Sequence, residues 1–235
     1  MSSEMERQLE RIRVAYDLTV KQYELGIDPL DGVPDHVKNA PEFKSFVAEA
    51  AESCHVGAPD VRAYLNPESG MTFLDVGCAA GLKTHRLYEW PSTYHGVDIS
   101  PGLIDAMRRF AASKSLKVGA LHVADVAAIP FASGYFDIAA VIGVLEYCTP
   151  EYAKTALEEL RRVLKARARV VLDIPNMAHP HVDLMFSLEE SLGRPQYEYS
   201  QTEFETTLAY HFEIDSVDTS LVMLKYFCRA RSPDK

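Results

Sequence analysis

The chain has 235 residues, 47% of them apolar, and carries 24 basic against 34 acidic side chains for a formal net charge of −10. This is the composition of a folded chain with a substantial core, and its acidic balance argues against nucleic acid or an anionic membrane as partner. Cys54, Cys78, Cys148 and Cys228 show no paired spacing, which points to a reducing, cytoplasmic setting without structural zinc; the charged N-terminus is no secretory signal, and the longest uncharged apolar run, Ile138 to Leu145, is too short to span a bilayer.

Residues 4 to 25 read as an amphipathic helix, with Met5, Leu9, Ile12, Tyr16 and Tyr23 recurring at helical spacing. Gly26, Asp28-Pro29 and Asp31-Gly32 end it, and a loop with Pro34 and Pro41 follows. Glu42 to Cys54 is a second helix, and Pro59 opens a short third one to Leu65. Met71 to Val76 then has the length and apolarity of a buried strand. It breaks at Gly77-Cys78-Ala79-Ala80-Gly81, and an amphipathic helix carrying Leu82, Leu87 and Trp90 is expected beyond it. The glycines allow a sharp turn and a close backbone approach to a ligand, while the helix start offers free N–H groups to an anionic group.

This stretch resembles the first motif of class I S-adenosylmethionine (SAM)-dependent methyltransferases, acid-x-Gly-x-Gly-x-Gly. Asp75, Gly77 and Gly81 match, and Ala79 stands where the middle glycine belongs, which demands φ < 0 or strain at that position. A nicotinamide fingerprint fits worse, since it would need glycines where Ala79 and Leu82 stand. The resemblance implies cofactor contacts at Asp75, Gly77, Cys78, Ala79 and Gly81. It also implies that the N-terminal helices form a lid, for which Tyr16 and Tyr23 are the candidates, although both rings would serve equally as packing on the sheet.

Thr93 to Val97 is the second strand. Asp98, at its tip about twenty residues past Gly77, is where this fold sets an acid to accept both hydroxyls of a ribose; Ile99 adjoins it. Ser100-Pro101 caps and opens a helix to Ser113, which leaves Asp98 free for a ligand. Val118 to Ala124 is the third strand. Asp125 and Val126 after it resemble the family's adenine clamp, a carboxylate for the amino group and a backbone N–H for a ring nitrogen. Ile138 to Ile142 is the apolar central strand. Ile142 and Gly143 take the place that lies under the methionine part of SAM in the family, and Glu146-Tyr147 stands where many members have Glu-His.

Pro150 to Leu164 reads as a helix, Lys165 to Ala168 as a turn or a continuation of that helix, and Arg169 to Ile174 as the fifth strand. Residues 176 to 200 form a mixed segment and partial lid, Ser200-Gln201-Thr202-Glu203 a capping box, and Phe212 to Val217 with Leu221 to Arg229 a terminal antiparallel pair. The implied architecture is a Rossmann-like α/β fold: a seven-stranded, mostly parallel sheet in the order 3-2-1-4-5-7-6 with helices on both faces. One domain is expected over residues 1–235, with a helical cap at 1–70 and a SAM-binding core at 71–229.

Methyl transfer from SAM is an in-line displacement, and holding nucleophile, methyl and sulfur collinear supplies on the order of 7–11 kcal/mol. A base is needed only for a protonated nucleophile. His179 and His181, just past the fifth strand, are the candidates, with anchoring of the lid as their alternative role. Glu146 would orient the cofactor's ammonium group or the acceptor. His179 and His181 are two apart, not the spacing of a helical zinc pair, and no metal is expected. The expected function is methyl transfer to oxygen or nitrogen of a small molecule. A SAM-binding regulatory protein without turnover is the alternative, supported by Ala79 and the missing Glu-His. The acceptor and the oligomeric state are not legible.

Overall fold

The computed structural model describes residues 3–194 and 196–232. The domain expected over 1–235 runs past these at both ends, and Pro195 of the expected lid also lies outside them. Helix α1 (Ser3–Glu24) leads, then a 3-10 turn at Pro29–Gly32, a single helical turn α2 (Asp35–Lys38), α3 (Phe43–Ser53) and α4 (Pro59–Leu65). The expected loop between the first two long helices thus carries helical turns. The Asp28 carboxylate starts one of them by accepting the Leu30 N–H at 2.9 Å, ahead of a proline pre-set for the first helical position.

Strands β1 (Thr72–Val76), β2 (Thr93–Asp98), β3 (Leu121–Val123), β4 (Phe136–Val141), β5 (Leu164–Pro175), β6 (Phe212–Asp218) and β7 (Met223–Ala230) form one sheet in the order β3-β2-β1-β4-β5-β7-β6. Strands β1 to β5 pair in parallel, and β7 runs antiparallel to both β5 and β6. This is the architecture the motif series implied. The strand order reverses between β1 and β4, so a crevice opens at their carboxyl ends.

Helices α5 (Gly81–Thr84), α6 (Pro101–Ser113), α7 (Pro150–Val163), α8 (Val182–Ser191) and α9 (Gln201–His211) complete the chain. Side chains alternate across the pleat. Leu74, Val76, Ala139 and Val141 face a cluster completed by Leu157 and Leu160 of α7 and Leu208 of α9. Phe73, Ile138 and Ala140 face another, completed by Val61 and Leu65 of α4 and Ile104 and Met107 of α6. Each such buried Leu, Ile or Phe contributes about 1.5–3 kcal/mol. A third cluster packs Val37 and Phe46 of the helical cap against Val182, Met185 and Leu188 of α8 and Met223 of β7.

Three expectations change. The helix after Gly81 is one turn long: Arg86 turns left-handed at φ +51 and a separate 3-10 turn spans Leu87–Glu89. Leu82, Leu87 and Trp90 are buried all the same, but so short a helix carries little dipole. Strand β3 is shorter than Val118 to Ala124. Lys165 to Ala168 is neither turn nor helix: β5 begins at Leu164, and a register shift opposite Phe136 and Ile138 absorbs Arg167 at φ +65, as a bulge does.

Candidate active site

The crevice is a cleft of about 860 Å³ including its open mouth. Val76, Gly77 and Ala79 come from the turn after β1, Asp98 and Ile99 from the end of β2, and Ala124, Asp125 and Val126 from the end of β3. Ile142, Gly143 and Val144 follow β4, Tyr147 and Cys148 lie in the next turn, and Leu9, Ile12 and Tyr16 of α1 form a wall.

Gly77 sits at φ +68, and a Cβ there would lie 2.2 Å from Val144 Cγ2, so only glycine fits. Ala79 resolves its dilemma through strain, at φ +39. Its N–H donates to Asp98 Oδ2 at 2.8 Å, which helps offset the roughly 1–2 kcal/mol such a conformation costs.

Ser100 caps α6 as expected, its hydroxyl accepting the Leu103 N–H. Asp98 is nonetheless not free. Besides Ala79, it accepts the Ser100 N–H on Oδ1 at 2.8 Å. Each oxygen keeps further lone-pair capacity, so the two backbone donors aim the carboxylate without exhausting it. Burial pushes the Asp98 pKa up to about 6, against the pull of those N–H groups. Asp125 is held the same way, accepting the Ala127 N–H at 2.9 Å and the Tyr152 hydroxyl at 2.6 Å.

Asp75, Cys78 and Gly81 stand behind the turn rather than on the cleft wall. Asp75 is buried, accepts the Tyr94 hydroxyl at 2.8 Å, and has its pKa pushed up to about 7 by burial. A Cβ on Gly81 would lie 3.3 Å from its Oδ2, and one on Gly96 would meet Cys78 Sγ at 2.9 Å. Tyr16 is in the cleft, but Tyr23 is 67% exposed. Seven residues carry Tyr23 about 10 Å further along the helix axis, to where the neighbouring Glu24 pairs with Arg109 of α6 at 2.8 Å.

The residues proposed for acid–base work are absent from the cleft lining. Glu146 is buried in the turn Leu145–Tyr147. Its Oε2 and Oδ2 of Asp173 are both buried without a hydrogen-bond partner. Asp173 Oδ1 accepts the Gly143 N–H at 2.9 Å, which ties this pair to the cleft wall. Burial raises both pKa values, Asp173 to about 7, and the charge of Asp173 adds to the rise at Glu146. His179 and His181 lie past β5 beside Glu49 of α3. His85 stacks on His55, ring centroids 4.1 Å apart.

A half-buried polar chain runs outward from the Tyr16 and Tyr147 side of the cleft. The Tyr16 and Tyr147 hydroxyls are 3.1 Å apart, and Tyr147 donates to Glu189 Oε2 of α8 at 2.9 Å. Arg194 pairs with Glu189 at 3.0 Å and lies 4.8 Å over the Tyr16 ring. Burial pushes the Tyr16 hydroxyl up to about 12 and also raises Glu189. Sequence reading missed Leu9, Ile12, Val76, Ala124, Val144, Tyr147 and Cys148 as wall residues. Leu9 and Ile12 carried a signal, since they share the Tyr16 helix face; Glu49 carried none.

A family model described as "Methyltransferase domain" matches residues 73–167. A search of curated protein sequences gives no significant match. Among solved structures, magnesium protoporphyrin IX methyltransferase from Synechocystis PCC 6803 with bound SAM is similar at TM-score 0.62 and 17% identity, over 96% of this chain and 97% of that one. A SAM-dependent methyltransferase from Methanosarcina mazei is similar at 0.59 and 20%, over 75% and 98%. 1,6-Didemethyltoxoflavin-N1-methyltransferase from Burkholderia thailandensis, with 1,6-didemethyltoxoflavin and S-adenosylhomocysteine bound, is similar at 0.57 and 19%, over 84% and 88%. Among the described residues no helix is long and apolar enough to cross a membrane. The matched domain spans residues 73–167, and the strand order with the cleft at its reversal is the fold of the similar SAM-dependent methyltransferases.

Proposed function

We propose that the chain transfers the methyl group of SAM to an oxygen or nitrogen of a small-molecule acceptor. The observation that carries this reading is the convergence of Asp98, Asp125 and Gly143 on one cleft. Asp98 accepts the ribose hydroxyls on its remaining lone pairs, Asp125 with Val126 holds the adenine edge, and Gly77, Ile142 and Gly143 leave room for the methionine part. The apolar α1 wall of Leu9, Ile12 and Tyr16 shields the sulfonium from water and suits a partly apolar acceptor better than a polyanion, in keeping with the net charge of −10. Small-molecule acceptors are named for two of the similar enzymes, which supports the same class here.

Catalysis is chiefly positioning. Where the acceptor is protonated, Asp173, tied to the cleft wall by the Gly143 N–H, and Glu146 are acid–base candidates; burial pushes Asp173 up to about 7, which suits proton uptake near neutral pH, and raises Glu146 as well. His179 and His181 are absent from the cleft lining and stand beside Glu49 instead. Calorimetry with S-adenosylhomocysteine and NADH tests the cofactor: micromolar binding of the first alone is expected, and preference for NADH would sink the reading. A screen of small hydroxyl and amine acceptors, read by S-adenosylhomocysteine release, tests turnover. Binding without release against any acceptor would favour the regulatory alternative.

A further inference from the structure

Glu49, on α3 of the helical cap, is far in sequence from His179 and His181 in the turn before α8, yet the three donor groups lie within 4.8 Å of one another. His181 Nδ1 is 3.4 Å from Glu49 Oε2, and His179 Nε2 is 3.8 Å from Glu49 Oε1. We propose that these three side chains bind a divalent transition-metal cation, two imidazoles and one carboxylate, which clasps the helical cap to the segment after β5.

Four observations carry this. His181 Nδ1 is buried and has no hydrogen-bond partner, a costly state for an imidazole nitrogen that a cation relieves. The contacts to Glu49 are long for hydrogen bonds. They are close to the roughly 3.3 Å between neighbouring donors that tetrahedral bonds of about 2.0–2.1 Å require. The carboxylate is already oriented, since Glu49 Oε1 accepts the Val222 N–H at 2.8 Å, as an outer-shell partner does for a metal ligand. The donors stand on a packed platform: Phe46, on the same helix as Glu49, shares a core with Val182, Met185 and Val222.

The donor set decides the class of ion. Imidazole favours zinc, iron, cobalt, nickel or copper over magnesium or calcium, and two histidines with one carboxylate leave coordination positions open. One contact must yield. His179 Nδ1 accepts the His181 N–H at 3.2 Å, which keeps the proton of the neutral ring on Nε2. A cation on Nε2 moves that proton to Nδ1, so loading releases the His181 amide and makes it a reporter. Helical spacing could not reveal the site, because its third ligand comes from another element.

The test uses the whole chain, stripped with a chelator and titrated with Zn²⁺ by calorimetry and with Co²⁺ by visible absorption. One cation per chain is expected, with Co²⁺ ligand-field bands and shifts of the His179 and His181 ring signals and the His181 amide in NMR. Glu49→Gln, His179→Asn and His181→Asn should each weaken binding by at least about 10–100-fold, the loss that outer-shell changes alone can cause. His36→Asn, at an exposed position of α2, should change nothing. S-adenosylhomocysteine titration and thermal melts check that the variants remain folded, and the NMR shifts in the unmutated chain need no variant. Absence of stoichiometric binding at millimolar cation, binding that survives all three substitutions, or ring signals that stay still would each overturn the proposal. None of these outcomes bears on methyl transfer, which is read separately.

Discussion

The two halves of the sheet's carboxyl edge are built from different material. At β1, β2 and β3 the cleft is mostly backbone: Gly77 and Ala79 in left-handed turns, Asp98 held by two main-chain N–H groups, and Asp125 held by one with the Tyr152 hydroxyl. Beyond β4 and β5 the edge is made of side chains drawn from distant segments, with Tyr147 against Glu189 and Glu49 against two histidines. The first half is exacting about shape and indifferent to most side chains. The second is exacting about charge, because low local dielectric makes every unpaired group there costly.

This contrast predicts a ranking. Gly77→Ala should be the most damaging change. The new Cβ collides with Val144 Cγ2 at 2.2 Å in a left-handed backbone, for about 2–4 kcal/mol of overpacking and strain together. Urea unfolding measures it, and an unchanged midpoint would show that the two loops separate easily. Asp98→Asn should come next, weakening S-adenosylhomocysteine by about 1.5–3 kcal/mol, or 10–100-fold, through loss of a charged acceptor.

The pH dependence sharpens that second case. With the Asp98 pKa pushed up to about 6, affinity in the parent should fall as pH drops through 6, and the Asn variant should stay flat; calorimetry across pH 5 to 8 compares them. Stability runs the other way. Burial lifts Asp75, Asp98 and Asp173 above the ordinary carboxylate value. Their contribution is therefore fully present below about pH 3.8 and is lost as pH rises through 6 to 7. Thermal melts of the ligand-free chain should record that loss as an added decline towards neutral pH, reduced in Asp98→Asn.

Tyr147→Phe probes the other half. Removing the hydroxyl between Tyr16 and half-buried Glu189 should cost about 1–2 kcal/mol and speed S-adenosylhomocysteine release severalfold in stopped flow; an unchanged rate would mean this polar chain does not retain the ligand. The smallest effect should be Ala79→Gly. It relieves the left-handed alanine and should raise stability by up to about 1 kcal/mol, while a loss would indicate that flexibility in the unfolded chain outweighs the strain.

The same contrast explains what the sequence made legible. Strand, turn and acid are contiguous at β1, β2 and β3, so the resemblance in their motifs reaches the sheet order and most of the cleft residues of that half. Where a local rule met tertiary packing it gave way. The helix after Gly81 stops at a left-handed Arg86 although Leu82, Leu87 and Trp90 are all buried, because burial fixes those side chains without needing the helix. Tyr16 and Tyr23 share one helix face, yet only the first faces the cleft, and periodicity cannot say how far a helix overhangs. Glu49 was invisible because proximity to His179 is a property of the fold, not of any window of sequence.

Helix α1 both walls the cleft and plants Asp17 on the neighbouring helix α6, accepting the Ser100 hydroxyl at 2.5 Å and the Gly102 N–H at 3.1 Å. It is therefore a door whose latch is another helix's cap. Were α1 to move away from the cleft, α6 would lose that acceptor, so any such motion is coupled to the start of α6 and belongs to the slow times of a moving helix. Shortening the leading segment should then alter how long a guest stays before it alters what is done to it.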